Sequence, residues 1–366
     1  MTIQKRIIAL FAAAALLNAV YICAARLPLE AQLHLRPDWL LDTTVTDAGR
    51  VSGELLPYKT GQTIGYFTSG GHVISRFPYS FDAAISPFYC APYAKDARDT
   101  VFYDRSGKQA GCIGGSGFPY FDEERIFLFH PGGASFSQCN GDGSTRWTHE
   151  GYAPIIAFAS SPGGCAAGRA DGTVRVFSPD GTHTGDVVPG KDADRIILGT
   201  ALSDSGDLIA TLSGVNPQRI ALTSLKNGLT YEVFGENLAA SGNERALVKF
   251  NSANNVVYFC YAGGIAVHDR TTGKTAHIPV RGTVRSIQEI PSEKLVALLA
   301  KDEAAPDGKT YTVLLFKEYR QFIGSFSFAA RNAFIRASDA GDSGKERGAL
   351  YVGADSTVSK IAVAER

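Results

Sequence analysis

Between Tyr152 and Gly190 the chain reads YAPIIAFASSPGGCAAGRADGTVRVFSPDGTHTGDVVPG. Apolar runs of strand length are separated there by Pro-Gly-Gly, Asp-Gly and Asp-Gly, which favour tight hairpin turns. The pattern predicts an antiparallel meander with strands over 154–160, 164–170, 172–178 and 183–188.

Four strands in about 40 residues is the size of one β-propeller blade. A glycine in a turn after a β-rich run recurs at Gly107, Gly143, Gly181, Gly228 and Gly273, with gaps of 36, 38, 47 and 45 residues. In each unit this turn joins a third strand to an outermost fourth. The pattern divides the body into units at 83–113, 118–149, 152–190, 194–234, 245–280 and 283–326. A further, shorter unit starts at Asn332, and Thr63–Tyr79 reads as a hairpin without a unit of its own. An open ring leaves two unpaired sheet edges. Joining 63–79 to 332–363 closes the ring and gives seven blades; eight separate blades is the alternative.

Residues 161–178, SPGGCAAGRADGTVRVFS, resemble the WD40-type blade, in which a Ser-Pro-Asp-Gly turn leads to Asp-Gly-Thr-Val and a closing Trp-Asp. Tyr103-Asp104 and His268-Asp269 stand where that dipeptide would fall, and Trp-Asp itself is absent. Thr272-Gly273-Lys274 is similar to the quinoprotein-type (PQQ-like) repeat. Together these imply a propeller over residues 62–366, specific at one blade and partial at the others.

The front of the chain is different. Lys5 and Arg6 precede an uncharged run of 19 residues, Ile7 to Ala25, interrupted by Asn18. A helix needs about 20 apolar residues to cross a bilayer. Residues 1–26 therefore read as a signal anchor, meeting the membrane through 7–25, or as a signal peptide cleaved after Ala25. The basic flank keeps the start in the cytoplasm. The expected location is the inner membrane, single-pass, with a periplasmic C-terminal domain; secretion to the periplasm is the alternative. Residues 27–61 read as a linker, with scattered leucines, three prolines and no sustained period. Trp39-Leu40-Leu41 within it has two readings: packing on the domain, or resting at the membrane surface.

Composition narrows function mainly by exclusion. Lys+Arg and Asp+Glu balance at 36 each, which gives no electrostatic case for nucleic acid. No CxxC pair occurs among Cys23, Cys90, Cys112, Cys139, Cys165 and Cys260, so a structural zinc site is not expected. The body cysteines read as small buried hydrophobes, with Cys90 and Cys112 close enough in one unit to raise a disulfide as the alternative.

No catalytic constellation stands out. Gly114–Gly117 lacks the strand–turn–helix setting of a nucleophile elbow, and the glycines at 111–117 precede aromatics rather than a phosphate-binding helix. His130-Pro131-Gly132-Gly133 reads as a turn. The seven histidines are scattered, and Asp192/Asp194, Asp204/Asp207 and Asn140/Asp142 lack the spacing of a calcium loop. No catalytic, cofactor or metal residue is assigned, and no cofactor is expected.

The whole reads as an all-β protein: a seven-bladed β-propeller of four-stranded antiparallel blades, preceded by one N-terminal hydrophobic helix. The expected function is a non-catalytic envelope scaffold that holds protein partners on a disc face. A small-molecule or glycan binder using the central funnel is the alternative. A hydrolytic or quinone-dependent enzyme is a further one. Polar insertions at Lys301–Lys309 and Ser338–Arg347 read as exposed hairpin tips, and the connector Gly117–Phe121 as blade packing or a contact patch.

Overall fold

A computed structural model describes residues 13–21, 33–46, 53–94, 96–190, 196–306, 308–339 and 348–365. From residue 33 onward they form eight antiparallel sheets, of which seven have four strands and one has three. Each sheet is a blade. Blade 1 covers 55–78, blade 2 82–114, blade 3 118–149, blade 4 155–187, blade 5 197–238, blade 6 248–279 and blade 7 283–329. Blade 8 takes its three inner strands from 333–365 and its outer strand from Leu33–Asp42.

Why these strands stack is visible in blade 6. Its second strand, Val256–Tyr261, is apolar at almost every position. Val256, Tyr258 and Cys260 face blade 7, where they meet Val284 and Leu298. Val257 and Phe259 face blade 5, where they meet Leu212 and Leu222. Successive strand residues point to opposite faces, so a continuous apolar run marks a strand buried on both sides. An apolar cluster of this kind bridges every neighbouring pair of blades. The ring closes where Leu56, Tyr58 and Phe67 of blade 1 pack on Phe334 and Tyr351 of blade 8.

The number of blades corrects the seven expected from sequence: there are eight. The hairpin at 63–79 does not join 332–363. It pairs with Leu55–Thr60, and the three strands make a blade of their own. The last blade is closed instead by Leu33–Asp42, in register with Thr357–Glu365 from Asp42↔Thr357 to Leu33↔Glu365. Both closing strands lie in the stretch read as a linker. Pro37 and Pro57 suggested irregular chain, but neither interrupts a ladder. Pro37 is on an outermost strand, at the edge of a β-bulge between Pro37 and Leu40. Pro57 is on an innermost strand, which pairs on one side only. Strand edges and bulges are where proline is tolerated. Trp39 packs on the domain, 6.4 Å from Phe67 and 5.8 Å from Tyr351 between ring centroids.

The expected membrane crossing is also overturned. Among the described residues no helix is long and apolar enough to cross a membrane. Residues 13–21 are helical, and Asn18 is accommodated by donating from Nδ2 to the Ala14 carbonyl at 3.2 Å. Cys23 and most of 7–25 lie outside the described residues, as do 340–347 of the second insertion.

Candidate functional site

An up-and-down blade sorts its connections by face. In blades 2–7 the inner strand begins on one face of the disc, and the link from inner to second strand turns on the other. The third-to-outer turn joins it there. The second-to-third turn and the crossing to the next blade return to the first face. We call this first face the crossover face.

Among the described residues, five exposed large apolar side chains stand on it. Phe81 is in the crossing from blade 1 to blade 2, Phe118 begins the inner strand of blade 3, and Tyr152 is in the crossing to blade 4. Val188 follows blade 4, and Val215 is in the second-to-third turn of blade 5. Phe81, Tyr93 and Phe118 form an aromatic chain, with centroids 6.1 Å and 6.3 Å apart. Tyr152 has no cover at all, at 103% exposure. Other exposed apolar groups, such as Leu229, Tyr231 and Val233 on the outer strand of blade 5 and Phe322 on that of blade 7, lie on the circumference.

The opposite face carries polar turns. Gly107, Gly143, Gly181, Gly228 and Gly273 stand in the third-to-outer turns of blades 2–6, as the spacing predicts. Gly181, at φ +89°, is also pressed by the Trp147 ring, so this position excludes a side chain twice over. Aspartates close the same turns on themselves: Asp142 accepts from the Ser144 backbone N–H at 2.9 Å, and Asp104 from Ser106 at 2.8 Å. The Ser144 hydroxyl and then its backbone N–H hold the Asp142 carboxyl below the ordinary carboxylate range. Asp207 accepts from the Ser203 and Ser205 hydroxyls within its own turn.

Through the disc runs a channel of about 1160 Å³, lined by the inner strands of blades 3–7. Its lining includes both ends of the inner strands of blades 3–6 and the far end of that of blade 7. Phe118, Tyr120, Phe129 and Phe158 form an aromatic wall, with Tyr120 and Phe158 centroids 5.6 Å apart and Phe129 and Phe158 5.0 Å apart. The connector read as blade packing or a contact patch is therefore mostly this inner strand, Phe118–Asp122. It buries Phe121 between blades 2 and 3 and turns Phe118 and Tyr120 to the channel.

Charged groups gather toward the other face. Arg125 donates to Asp122 Oδ2 at 2.9 Å and to Ser160 Oγ at 3.0 Å, and the Ser160 hydroxyl donates to the same carboxylate. Lys249 extends from the inner strand of blade 6 and donates to the Ile287 carbonyl at 3.1 Å. Glu289 Oε2 accepts from the Ser252 backbone N–H at 3.1 Å. Burial pushes the Glu123 carboxyl up, helped by the neighbouring Asp122 charge. Burial lowers the Lys249 ammonium, which Glu289 partly offsets. Arg336, from blade 8, adds positive field at Lys249; its own donors go to the Pro57 carbonyl at 3.2 Å and the Ile335 carbonyl at 3.1 Å.

The motifs weighed for chemistry are structural here. His130–Gly133 is a hairpin turn, closed by the Gly133 N–H on the His130 carbonyl at 3.1 Å. A Cβ at Gly111 would stand 2.3 Å from the Asp142 carbonyl oxygen, so that glycine lets blade 2 approach blade 3. Asp192 and Asp194 lie outside the described residues. Among the described residues no group of three His, Cys, Asp or Glu side chains is placed to hold a metal. Cys90 and Cys112 are free, on strands with a third between them. Two strand spacings are about 9.5 Å, beyond disulfide reach. Burial pushes the Cys90 thiol up to about 12 and the Cys139 thiol up to about 11, out of nucleophile range.

Sequence reasoning missed Asp122, Arg125, Ser160, Lys249 and Glu289. Lone polar residues in the first strand of a unit, as in ALVKFN around Lys249, are the signal that could have found them.

The fold defines the class: a closed β-propeller with a solvent channel and one apolar face. The chain belongs to the family described as beta-propeller protein, whose model matches residues 1–366. It is 31% identical over 300 residues to an uncharacterized protein of Treponema pallidum (strain Nichols), covering 79% of this chain and 80% of that one. Its structure is similar to BamB from Moraxella catarrhalis, with TM-score 0.58 and 13% identity over 90% of this chain and 100% of that one. Sqt1 of Saccharomyces cerevisiae is similar at TM-score 0.60 and 11% identity, over 86% and 94% of the two chains. At these identities the two structures speak for the fold alone, and they agree with the repeat resemblance read from the sequence.

Proposed function

We propose that this chain is a non-catalytic scaffold that holds a protein partner on the crossover face of blades 1–5. The observation that carries the reading is the gathering of Phe81, Phe118, Tyr152, Val188 and Val215 on that one face. Contiguous exposed apolar groups mark contact surfaces on soluble proteins, and aromatic anchors supply most of the affinity in such contacts. The scaffold suits the task. The loops rise from strands locked by apolar clusters between blades, so little order has to be gained on binding.

The test is site-specific photo-cross-linking of the full chain in its native cell, with a benzophenone side chain at position 152 or at position 272 on the opposite face. The expected result is one reproducible adduct from position 152, identified by mass spectrometry, absent from position 272 and lost with Phe81→Glu. Equal adducts from both faces, or none from position 152, sink the reading.

A further inference from the structure

We infer that the central channel is a binding site for a small aromatic carboxylate, anchored through Lys249. This does not rest on the docking reading, because the channel and the crossover-face side chains are separate surfaces apart from Phe118. At about 1160 Å³ the channel has ample room for a small organic ligand, whose pockets commonly span about 300–1000 Å³.

Among the described residues no carboxylate comes within ion-pair distance of the Lys249 ammonium, and its hydrogen bond goes to the Ile287 carbonyl. Charges taken into a protein interior are normally paired. Two of the three nearby acids, Asp122 and Glu289, make hydrogen bonds of their own. Asp122 is held by Arg125 and Ser160. Glu289 Oε2 takes the Ser252 N–H. Lys249 is left with donor capacity facing open space, and Arg336 reinforces the positive field there.

The rest of the lining defines the ligand's body. Tyr120, Phe129 and Phe158 form a wall of ring faces and edges across the channel from Lys249. Such a wall favours a flat apolar group in offset or edge-to-face contact. Charge selects the head group. Asp122, Glu123 and Glu289 all lie along the same channel, so a dianion such as phosphate meets about twice the repulsion that a monoanion does. An ammonium ligand would compete with Lys249 itself. A monocarboxylate on an aromatic frame satisfies both walls.

The probe is 3-phenylpropanoate, titrated calorimetrically into the full chain, with 3-phenylpropylamine as the charge-reversed control. The expected result is saturable binding of the carboxylate in the millimolar range or tighter, and none of the amine. Lys249→Gln should weaken binding by at least about tenfold while Lys249→Arg retains most of it. Tyr120→Ala, altering the opposite wall, should weaken it as well. Tyr152→Glu should leave it unchanged, which separates this site from the docking face. No binding of the carboxylate, equal binding of the amine, or full affinity in Lys249→Gln overturns the inference. Should Lys249→Gln lose the native circular dichroism spectrum, undiminished binding in Tyr120→Ala does so.

Discussion

Two sectors of the ring are built differently. Blades 2–7 repeat one four-stranded meander, each with its inner strand running the same way. Blades 8 and 1 form a seam made from both parts of the chain. Blade 8 borrows its outer strand from residues 33–42, and blade 1 has three strands. Blade 1 is also reversed. Its inner strand starts beside the end of blade 8's, where Ser338 donates to Glu54, and finishes where Lys59 meets Asp82 at the start of blade 2's at 2.7 Å. The repeat sector contributes the channel wall and most of the apolar face. The seam holds the ring shut. The lesson is a division of labour: substitutions in the seam should cost stability, and substitutions on the repeat sector's surfaces should cost binding.

The largest effect should come from Trp39→Ala. The ring packs on both Phe67 and Tyr351, and losing a packed aromatic costs up to about 3–5 kcal/mol. Urea denaturation should show it, and a loss below about 1 kcal/mol would erase the distinction between the sectors.

Asp38→Asn comes next. Lys360 is 1% exposed and pairs with Asp38 at 3.2 Å across the closing strands. Asp38 is itself partly exposed, so solvent takes up some of the imbalance and the expected cost is about 1–3 kcal/mol. Thermal unfolding measures it.

A smaller effect is a pH slope from the repeat sector. His268 is buried, stacked on Phe234 at 4.0 Å, with Nδ1 at 3.0 Å from the Thr275 hydroxyl. Burial lowers its affinity for a proton; Arg270 adds to this and Asp269 opposes it. The unfolded chain therefore takes up the proton first, and stability should fall as pH drops below the free-histidine value of about 6.5. His268→Gln should flatten that slope in denaturation curves measured between pH 7.5 and 5; a slope unchanged in the variant assigns it elsewhere, with His149, lowered the same way by burial, as the next candidate.

The smallest stability effect should come from the docking face. Tyr152→Glu should change unfolding free energy by less than about 0.5 kcal/mol, and Phe81→Glu should abolish the adduct formed from position 152. A substantial stability loss would mean that Tyr152 belongs to the framework.

The same division explains what the sequence revealed. Units read at 83–113, 118–149, 152–190, 194–234, 245–280 and 283–326 match blades 2–7 to within a few residues, because all but the last carry a turn glycine at the third-to-outer hairpin. The seam has no such regular marker. Pro37 and Pro57 hid two strands that tolerate proline only through their edge positions. The reversed direction of Leu55–Thr60 leaves no trace in composition. The channel was illegible for another reason. Alternation assigns Lys249 to one side of its strand, but only the closed ring shows which side is open space. The crossover face was hidden likewise, since Phe81, Tyr152 and Val215 are scattered singly along the sequence and meet only through topology.

The central claim is that the front of the chain closes the eighth blade. Hydrogen–deuterium exchange of the full chain, read by mass spectrometry over peptides spanning 33–42 and 348–363, tests it most directly. The hydrogen-bonded amides of 33–42 should be protected and should open together with those of 348–363 as denaturant rises. Exchange of 33–42 at the rate of free chain, while 348–363 stays protected, would contradict the closure and the eight-bladed ring with it.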